Sequence, residues 1–340
     1  MRMSGGLTDG FWRGRPVALT GATGFLGLHV VRLLRQLGAR IRAVVRPTSK
    51  TESLQRLQVE CITASLLSPE QLRRALTGQD MVLHLAGAVH LRAEWQEVWQ
   101  TNVEGTCSVL EAGRCAGVRR MVHVSSIVTV GATREPRLLD ESAAWNLGHL
   151  RVPYVLSKHR AEMLAWHAAA RGQDVVIVNP GCVIGPQDYS RSEFGVLCRR
   201  FWCGRIPLVF HGGSNFVDVR DVAAGILLAA ERGRSGRRYI LGGVNRTWLD
   251  FFRDLARLSP RPLPRCYAPR SLASLLAFLE PYCYRHTDKR PYISPAQAEL
   301  LSWFFFMSSR RASEELGYSP RSWTQTLQDT YQFWMQSQAA

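Results

Sequence analysis

The stretch Val17-Ala-Leu-Thr-Gly-Ala-Thr-Gly-Phe-Leu-Gly-Leu28 constrains this chain more than any other. A short apolar run reads as a buried strand. It ends in Gly21, Gly24 and Gly27, spaced T-G-x-x-G-x-x-G, and Phe25, Leu26, Val30, Val31, Leu33, Leu34 and Leu37 follow at helical spacing. Strand, glycine turn and helix together make a dinucleotide cradle. Gly21 permits a sharp turn, Gly24 lets backbone approach a pyrophosphate, and Gly27 lets the helix lie close on the strand. The helix N-terminus then faces the phosphates.

The rest of the first half alternates strands and helices. Strands are expected at 40–45, 58–63, 81–86, 121–126 and 175–179. Helices are expected at 94–116 and 154–171, with a further helix opening at Ser68-Pro69 and proline at its first position. Such alternation means a Rossmann-type, doubly wound α/β fold with a mostly parallel sheet. After Cys182 the pattern changes: a helix at 192–204, a strand at 216–219, a helix at 222–230, a strand at 238–241, then a segment rich in Pro, Trp, Tyr and Phe. The expected division is a dinucleotide-binding domain over 15–181, with 216–243 returning to it. A smaller, partly interleaved C-terminal substrate domain would take 182–215 and 244–335.

Bulk properties narrow the partners. A length of 340 residues suits about two domains, and 46% hydrophobic with 21% charged residues suits a globular chain. The net charge of +16 is almost all arginine, because Lys50, Lys158 and Lys289 are the only lysines. Such charge reads first as a compositional preference for arginine; attraction to phosphorylated ligands or anionic lipid surfaces is the alternative. No nucleic-acid-binding signature is present, so nucleic acid is not expected as a partner. Eight cysteines without a C-x-x-C pair fit a reduced, cytoplasmic chain without a metal centre. No secretory h-region precedes the first strand, and no apolar run reaches the roughly 18 residues needed to span a bilayer. The apolar piece 271–279 beside basic residues reads as a lid or core helix, and peripheral membrane contact is the alternative. A homodimer is compatible with all of this.

The chemistry centres on Ser126, Tyr154 and Lys158. Tyr154-Val-Leu-Ser-Lys158 places phenol and ammonium on one helical face. An ammonium beside a tyrosine, with an oxidised nicotinamide, draws its pKa toward working range. Ser126, or its neighbour Ser125, ends a strand where a hydroxyl can meet a substrate oxygen. His84 and His90 read as packing near the cofactor, with no third ligand for a metal.

With these residues in place, the chain resembles the extended short-chain dehydrogenases/reductases, or NAD-dependent epimerase/dehydratase family. The motifs that carry the resemblance are Thr20-Gly-Ala-Thr-Gly-Phe-Leu-Gly27, His84-Leu-Ala-Gly87, Thr101-Asn-Val-Glu-Gly-Thr106, Val124-Ser-Ser126, Tyr154-Val-Leu-Ser-Lys158, Asn179-Pro180 and Val217-Asp-Val-Arg-Asp221. The subgroup it looks most like holds dihydroflavonol-reductase-like, 3β-hydroxysteroid-dehydrogenase-like and hopanoid-associated epimerase-like members.

The resemblance implies that Tyr154 is the general acid/base, that Lys158 binds the nicotinamide ribose, and that Ser126 polarises the reacting oxygen. It also implies a cofactor site made of Gly21, Thr23, Gly24, Phe25, Leu26, Ala86, Gly87, Asn102, Tyr154, Lys158 and Pro180. Where the family often has an acidic residue for the ribose hydroxyl, this chain has Val45 and then Arg46, so NADP(H) is expected over NAD(H). Ala64-Ser65 replaces the usual Gly-Asp, and Ile127-Val128 replaces the Asp-Glu of sugar dehydratases. The expected activity interconverts a secondary alcohol and a ketone on an apolar small molecule, with Trp202, Phe210, Trp248, Phe251, Phe252 and Trp303 offered as pocket walls. The alternatives are a nucleotide-sugar epimerase with tightly held NAD and with Asn179 and the many arginines on a diphosphate, and a dinucleotide-binding protein without catalysis.

Overall fold

The computed structural model describes residues 6–89, 94–206, 208–259, 261–264, 266–268, 275 and 295–336. In chain order come β1 (Pro16–Thr20), α1 (Phe25–Gln36), β2 (Arg40–Val45), α2 (Glu52–Arg56), β3 (Glu60–Thr63), α3 (Pro69–Leu76) and β4 (Met81–His84). Next are α4 (Trp95–Trp99), a π-helical turn at Gln100–Glu104, α5 (Gly105–Cys115), β5 (Arg120–Val124), β6 (Leu138–Leu139), α6 (Pro153–Ala170), β7 (Val175–Pro180) and β8 (Cys182–Ile184). Then follow α7 (Glu193–Trp202), β9 (Leu208–Phe210), β10 (Gly213–Asp218), α8 (Val219–Arg232), β11 (Arg238–Leu241), β12 (Val244–Thr247) and α9 (Trp248–Ala256). The last elements are β13 (Cys266–Ala268), α10 (Pro295–Leu301), β14 (Phe304–Met307), α11 (Arg310–Leu316) and α12 (Trp323–Gln336).

Among the described residues, the main sheet has seven parallel strands in the order β3-β2-β1-β4-β5-β7-β11. The order reverses between β1 and β4, and a doubly wound sheet opens a crevice at the carboxyl ends of its strands at such a point. Central strands are buried on both faces: β4 and β7 expose nothing, which matches their unbroken apolar character. One face is covered by α1 and α8 through Leu28, Val31, Leu34, Ile226 and Leu227. The other is covered by α3, α5 and α6 through Leu72, Leu76, Val109 and Ala165.

A second sheet, in the order β12-β10-β14-β6 with β8 also on β10, lies beyond the ends of β5 and β7. Thus Gly213–Asp218 pairs in the second sheet, and the chain returns to the main sheet only with α8 and β11. Several bounds also differ from expectation. The third strand starts at Glu60, because Gln58 takes a left-handed φ of 53° and its N–H closes a turn onto Gln55 O. The expected helix over 94–116 holds an extra residue in its π turn. The piece 271–279 lies outside the described residues apart from Leu275, as does His90. Among the described residues, no helix is long and apolar enough to cross a membrane.

Candidate active site

The glycine turn sits at the carboxyl end of β1. Gly21 has φ +73°, and a Cβ there would meet Ala86 N at 2.7 Å and Leu85 C at 2.8 Å, so the turn abuts the end of β4. A Cβ at Gly27 would lie 2.1 Å from Gly21 O. Gly24 caps α1 without a side-chain hydrogen bond, and no acidic residue stands in the first turn. The first N–H groups of α1 are therefore free to bind an anion, with the helix dipole behind them. This cradle fits a dinucleotide pyrophosphate. Thr23 and Leu26 are half-buried beside it, and Phe25 is buried edge-on to His29.

Ala86 N donates to Thr20 Oγ1 (3.2 Å), tying the loop after β4 to β1. Asn102 then fixes Ala88. Its Oδ1 accepts from Ala88 N (2.7 Å), and its Nδ2 donates to Ala88 O (3.0 Å) and to Ser157 Oγ (2.9 Å) on α6. A Cβ on Gly87 would come within 3.2 Å of Asn102 Oδ1 and 3.8 Å of Lys158 Nζ. Asn102 can do this because the π turn inserts one residue into its helix and re-aims the side chain. Pro180 ends β7, buried and paired with Leu241. Arg46 lies exposed after β2, with its guanidinium in no described hydrogen bond or ion pair, and its N–H donates to Ser49 Oγ (3.1 Å). Where the family's Gly-Asp would stand, Ala64 is buried and Ser65 N donates to Gln71 Oε1 (2.9 Å).

Ser126, Tyr154 and Lys158 meet at the ends of β5 and α6. The Ser126 hydroxyl hydrogen-bonds the Tyr154 phenol. Burial pushes that phenol up to about 12; the Ser126 bond pulls the other way, and the charge of Glu193 adds to the rise. The result is a phenol above its ordinary value, held protonated at neutral pH. Burial brings Lys158 down to about 8, opposed by the charge of Glu162. Lys158 Nζ donates to Val124 O at 2.7 Å, two residues before Ser126. Ser125 points the other way, buried, with its hydroxyl on Glu162. Behind Lys158 lie two buried imidazoles. His84 bridges Thr20 (2.7 Å) and Thr106 (3.0 Å), and burial lowers it to about 3. His123 stands beside it with ring centroids 5.5 Å apart, also lowered by burial.

Asn179 is not at the mouth of the site. It is fully buried, and its amide donates to Ser126 O (3.1 Å), Thr129 Oγ1 (2.8 Å) and Glu162 Oε2 (2.7 Å). The aromatic residues offered as pocket walls are mostly core instead. Trp202, Trp248, Phe251 and Phe252 pack in one buried cluster with Phe210 against it, Phe216 stacks on Phe251 at 4.2 Å, and Trp303 is buried in another. Aromatic composition alone cannot separate rings that face a ligand from rings that face each other. Glu162, Ser157, Thr129 and Arg238 were not singled out from sequence. Glu162 had a signal, since it continues the face of Tyr154 and Lys158 by another four residues.

Residues 17–242 match the family described as the NAD dependent epimerase/dehydratase family. Among curated relatives, a putative dihydroflavonol 4-reductase of Synechocystis sp. is 32% identical, with 94% of each chain covered. Sterol demethylase protein B of Methylococcus capsulatus is 34% identical, over 89% of this chain and 93% of the relative. Among solved structures, a nucleoside-diphosphate-sugar epimerase from Pseudomonas aeruginosa superposes with a TM-score of 0.78 at 28% identity, covering 95% and 98% of the two chains. The family model covers well over half of the chain and relatives at 32–34% identity span nearly all of it: the protein belongs to the NAD dependent epimerase/dehydratase family, within the extended short-chain dehydrogenases/reductases, and is an NAD(P)-dependent oxidoreductase.

Proposed function

We propose that the protein transfers hydride between NADP(H) and a secondary alcohol or ketone on an apolar small molecule of sterol, terpenoid or polyphenol type. The N-terminus of α1 would hold the pyrophosphate of the cofactor, Arg46 its adenosine end, and Lys158 its nicotinamide ribose. When bound, the nicotinamide supplies or accepts the hydride. Ser126 holds the reacting oxygen by a hydrogen bond, and Tyr154 gives it a proton in reduction and takes one in oxidation. Tyr154 rests protonated, which suits the reducing direction, and Lys158 orients the ribose.

The observation that carries net hydride transfer over sugar inversion is the buried position of Asn179. An epimerase of nucleotide sugars needs a firm diphosphate anchor; of the two candidates offered for that role, Asn179 and the arginines, the Asn179 amide is spent inside the fold. Ile127 and Val128 beside Ser126 also supply no carboxylate for sugar dehydration. The apolar substrate class is supported by relatives named for dihydroflavonol and sterol.

The test follows nicotinamide absorbance with NADP(H) across a panel of sterol, terpenoid and flavonoid ketones, and separately with UDP- and GDP-sugars. Turnover of a panel ketone that falls by at least about 10²-fold in Tyr154→Phe is the expected result. Sugar inversion without net absorbance change, or Tyr154→Phe retaining more than about a tenth of the activity, overturns the reading.

A further inference from the structure

Beneath the Ser126 turn lies a buried polar cluster that the reaction scheme does not use. Glu162 is 1% exposed and follows Tyr154 and Lys158 on one face of α6. Its Oε2 accepts from the Ser125 and Thr129 hydroxyls and from Asn179 Nδ2, and its Oε1 accepts from Arg238 Nη1 at 3.2 Å. These donors come from the turn after β5, from β7 and from β11. Arg238 spends its other donors on Glu141 O (2.8 and 3.0 Å), Ala143 O (3.1 Å) and Thr129 O (3.2 Å).

A buried carboxylate is tolerable only when its charge is matched and its lone pairs are filled, and this one meets both conditions. The cluster also grips the backbone of the reacting serine. Ser126 O accepts from Asn179 Nδ2 (3.1 Å) and lies 2.7 Å from Thr129 Oγ1, both of which bond Glu162. The groups around Lys158 add a second effect. His84 from β4 and His123 from β5 are neutral: burial and the positive charge of Lys158 both disfavour a second positive charge there. Among the described residues, Glu162 is the group whose charge favours the ammonium.

We propose that Glu162 is a positioning residue: it locks the Ser126 turn onto α6 and holds a negative charge one helical turn from Lys158, so that hydroxyl, phenol and ammonium stay in register. The proposal rests on the acid/base reading of Ser126, Tyr154 and Lys158.

The chain has only three lysines, so isotope-labelled lysine gives a side-chain spectrum simple enough to titrate residue by residue. In wild type the Lys158 signal titrates near 8. In Glu162→Gln its midpoint falls by about 1.5–2 pH units, the size expected of one charge roughly 6–8 Å away at an effective dielectric near 20. A carboxylate that only supports the fold would leave the midpoint where it is. Thr129→Val keeps the charge but loosens the Ser126 turn, so the midpoint stays and kcat falls about tenfold while the KM for cofactor holds. An unmoved midpoint in Glu162→Gln overturns the proposal, and so does a Thr129→Val kcat within about twofold of wild type. Should Glu162→Gln fail to fold, Thr129→Val decides. The lysine titration needs no substrate, so failure of the proposed reaction is read separately, by Tyr154→Phe.

Discussion

Gly27→Ala and Gly24→Ala separate the two duties of the glycine turn. A methyl at position 27 would stand 2.1 Å from Gly21 O and 2.8 Å from Ala22 Cα. Real contacts of this kind essentially never fall below 3.0 Å, so α1 must retreat by the difference, 3.0 minus 2.1, or 0.9 Å. Both obstructing atoms belong to backbone, and no rotamer change relieves them. The helix that moves carries Phe25, Leu28, Val30, Val31 and Leu34 into the core. Overpacking on this scale costs about 3 kcal/mol, which lowers Tm by roughly 6–12 °C at about 2–4 °C per kcal/mol. The N–H groups of α1 move with it, and losing one charge-assisted hydrogen bond weakens NADP+ binding about ten- to a hundredfold. At Gly24 the nearest obstacle is Gly21 O at 3.4 Å and φ is −77°, so the fold accepts a methyl for about 0.5–1 kcal/mol, the difference between glycine and alanine at a helix N-cap. That methyl occupies the approach of the pyrophosphate, and Gly24→Ala binds NADP+ at least about tenfold more weakly with Tm lowered less than in Gly27→Ala. Thermal melts and titration calorimetry with NADP+ read both quantities. A Gly27→Ala melt within about 2 °C of wild type, or undiminished binding in Gly24→Ala, refutes the reasoning.

If NADP(H) is preferred as proposed, Arg46→Ala should abolish that preference, because its exposed guanidinium follows β2, where the proposal puts the ribose 2′-phosphate; kcat/KM with both cofactors measures it, and a preference that persists rejects Arg46 as the selector. Lys158 titrates near 8 in the fold against 10.5 unfolded. Below pH 8 both states carry its charge and the fold bears about 3 kcal/mol; between 8 and 10.5 only the unfolded chain keeps the proton, so this group makes stability rise with pH across that window. Lys158→Met should therefore melt higher than wild type at pH 7, lose that rise and bind NADP+ more weakly; melts across pH check it, and identical pH profiles for the two proteins contradict it. Asn179→Ala should lower both Tm and kcat, leaving a buried Glu162 short of one donor at a cost of about 1–3 kcal/mol; an unchanged kcat would detach Asn179 from the Ser126 turn.

Much of this was legible where the constraint is local. Gly21 and Gly27 declare themselves because a left-handed turn and a close helix leave no room for a side chain. Tyr154 and Lys158 declare themselves because four residues return a helix to one face. The choice between Ser125 and Ser126 was not legible. Neighbours at a strand end face opposite sides, and which side is interior depends on Glu162, distant in sequence and brought there by α6. The strands β6, β8 and β12 have two, three and four residues. Segments so short carry no periodicity, and their pairing is decided by partners far along the chain. The aromatic residues of the last third misled for a related reason: burial looks the same in sequence whether a ring meets a ligand or another ring.

The π turn at Gln100–Glu104 has a consequence for chain length. An extra residue in a helix rotates everything before it relative to everything after it by about 100°. Deleting any single residue between Trp99 and Gly105 would give a more regular helix, yet swing the asparagine away from Ala88 and Ser157 or turn the Trp95–Trp99 stack, at 5.8 Å, toward a different neighbour. The irregularity thus sets a phase between two half-helices, one keyed to the loop after β4 and the other to the sheet. Length there is as constrained as residue identity, and a one-residue deletion scan would find this segment less forgiving than the exposed loop after β2.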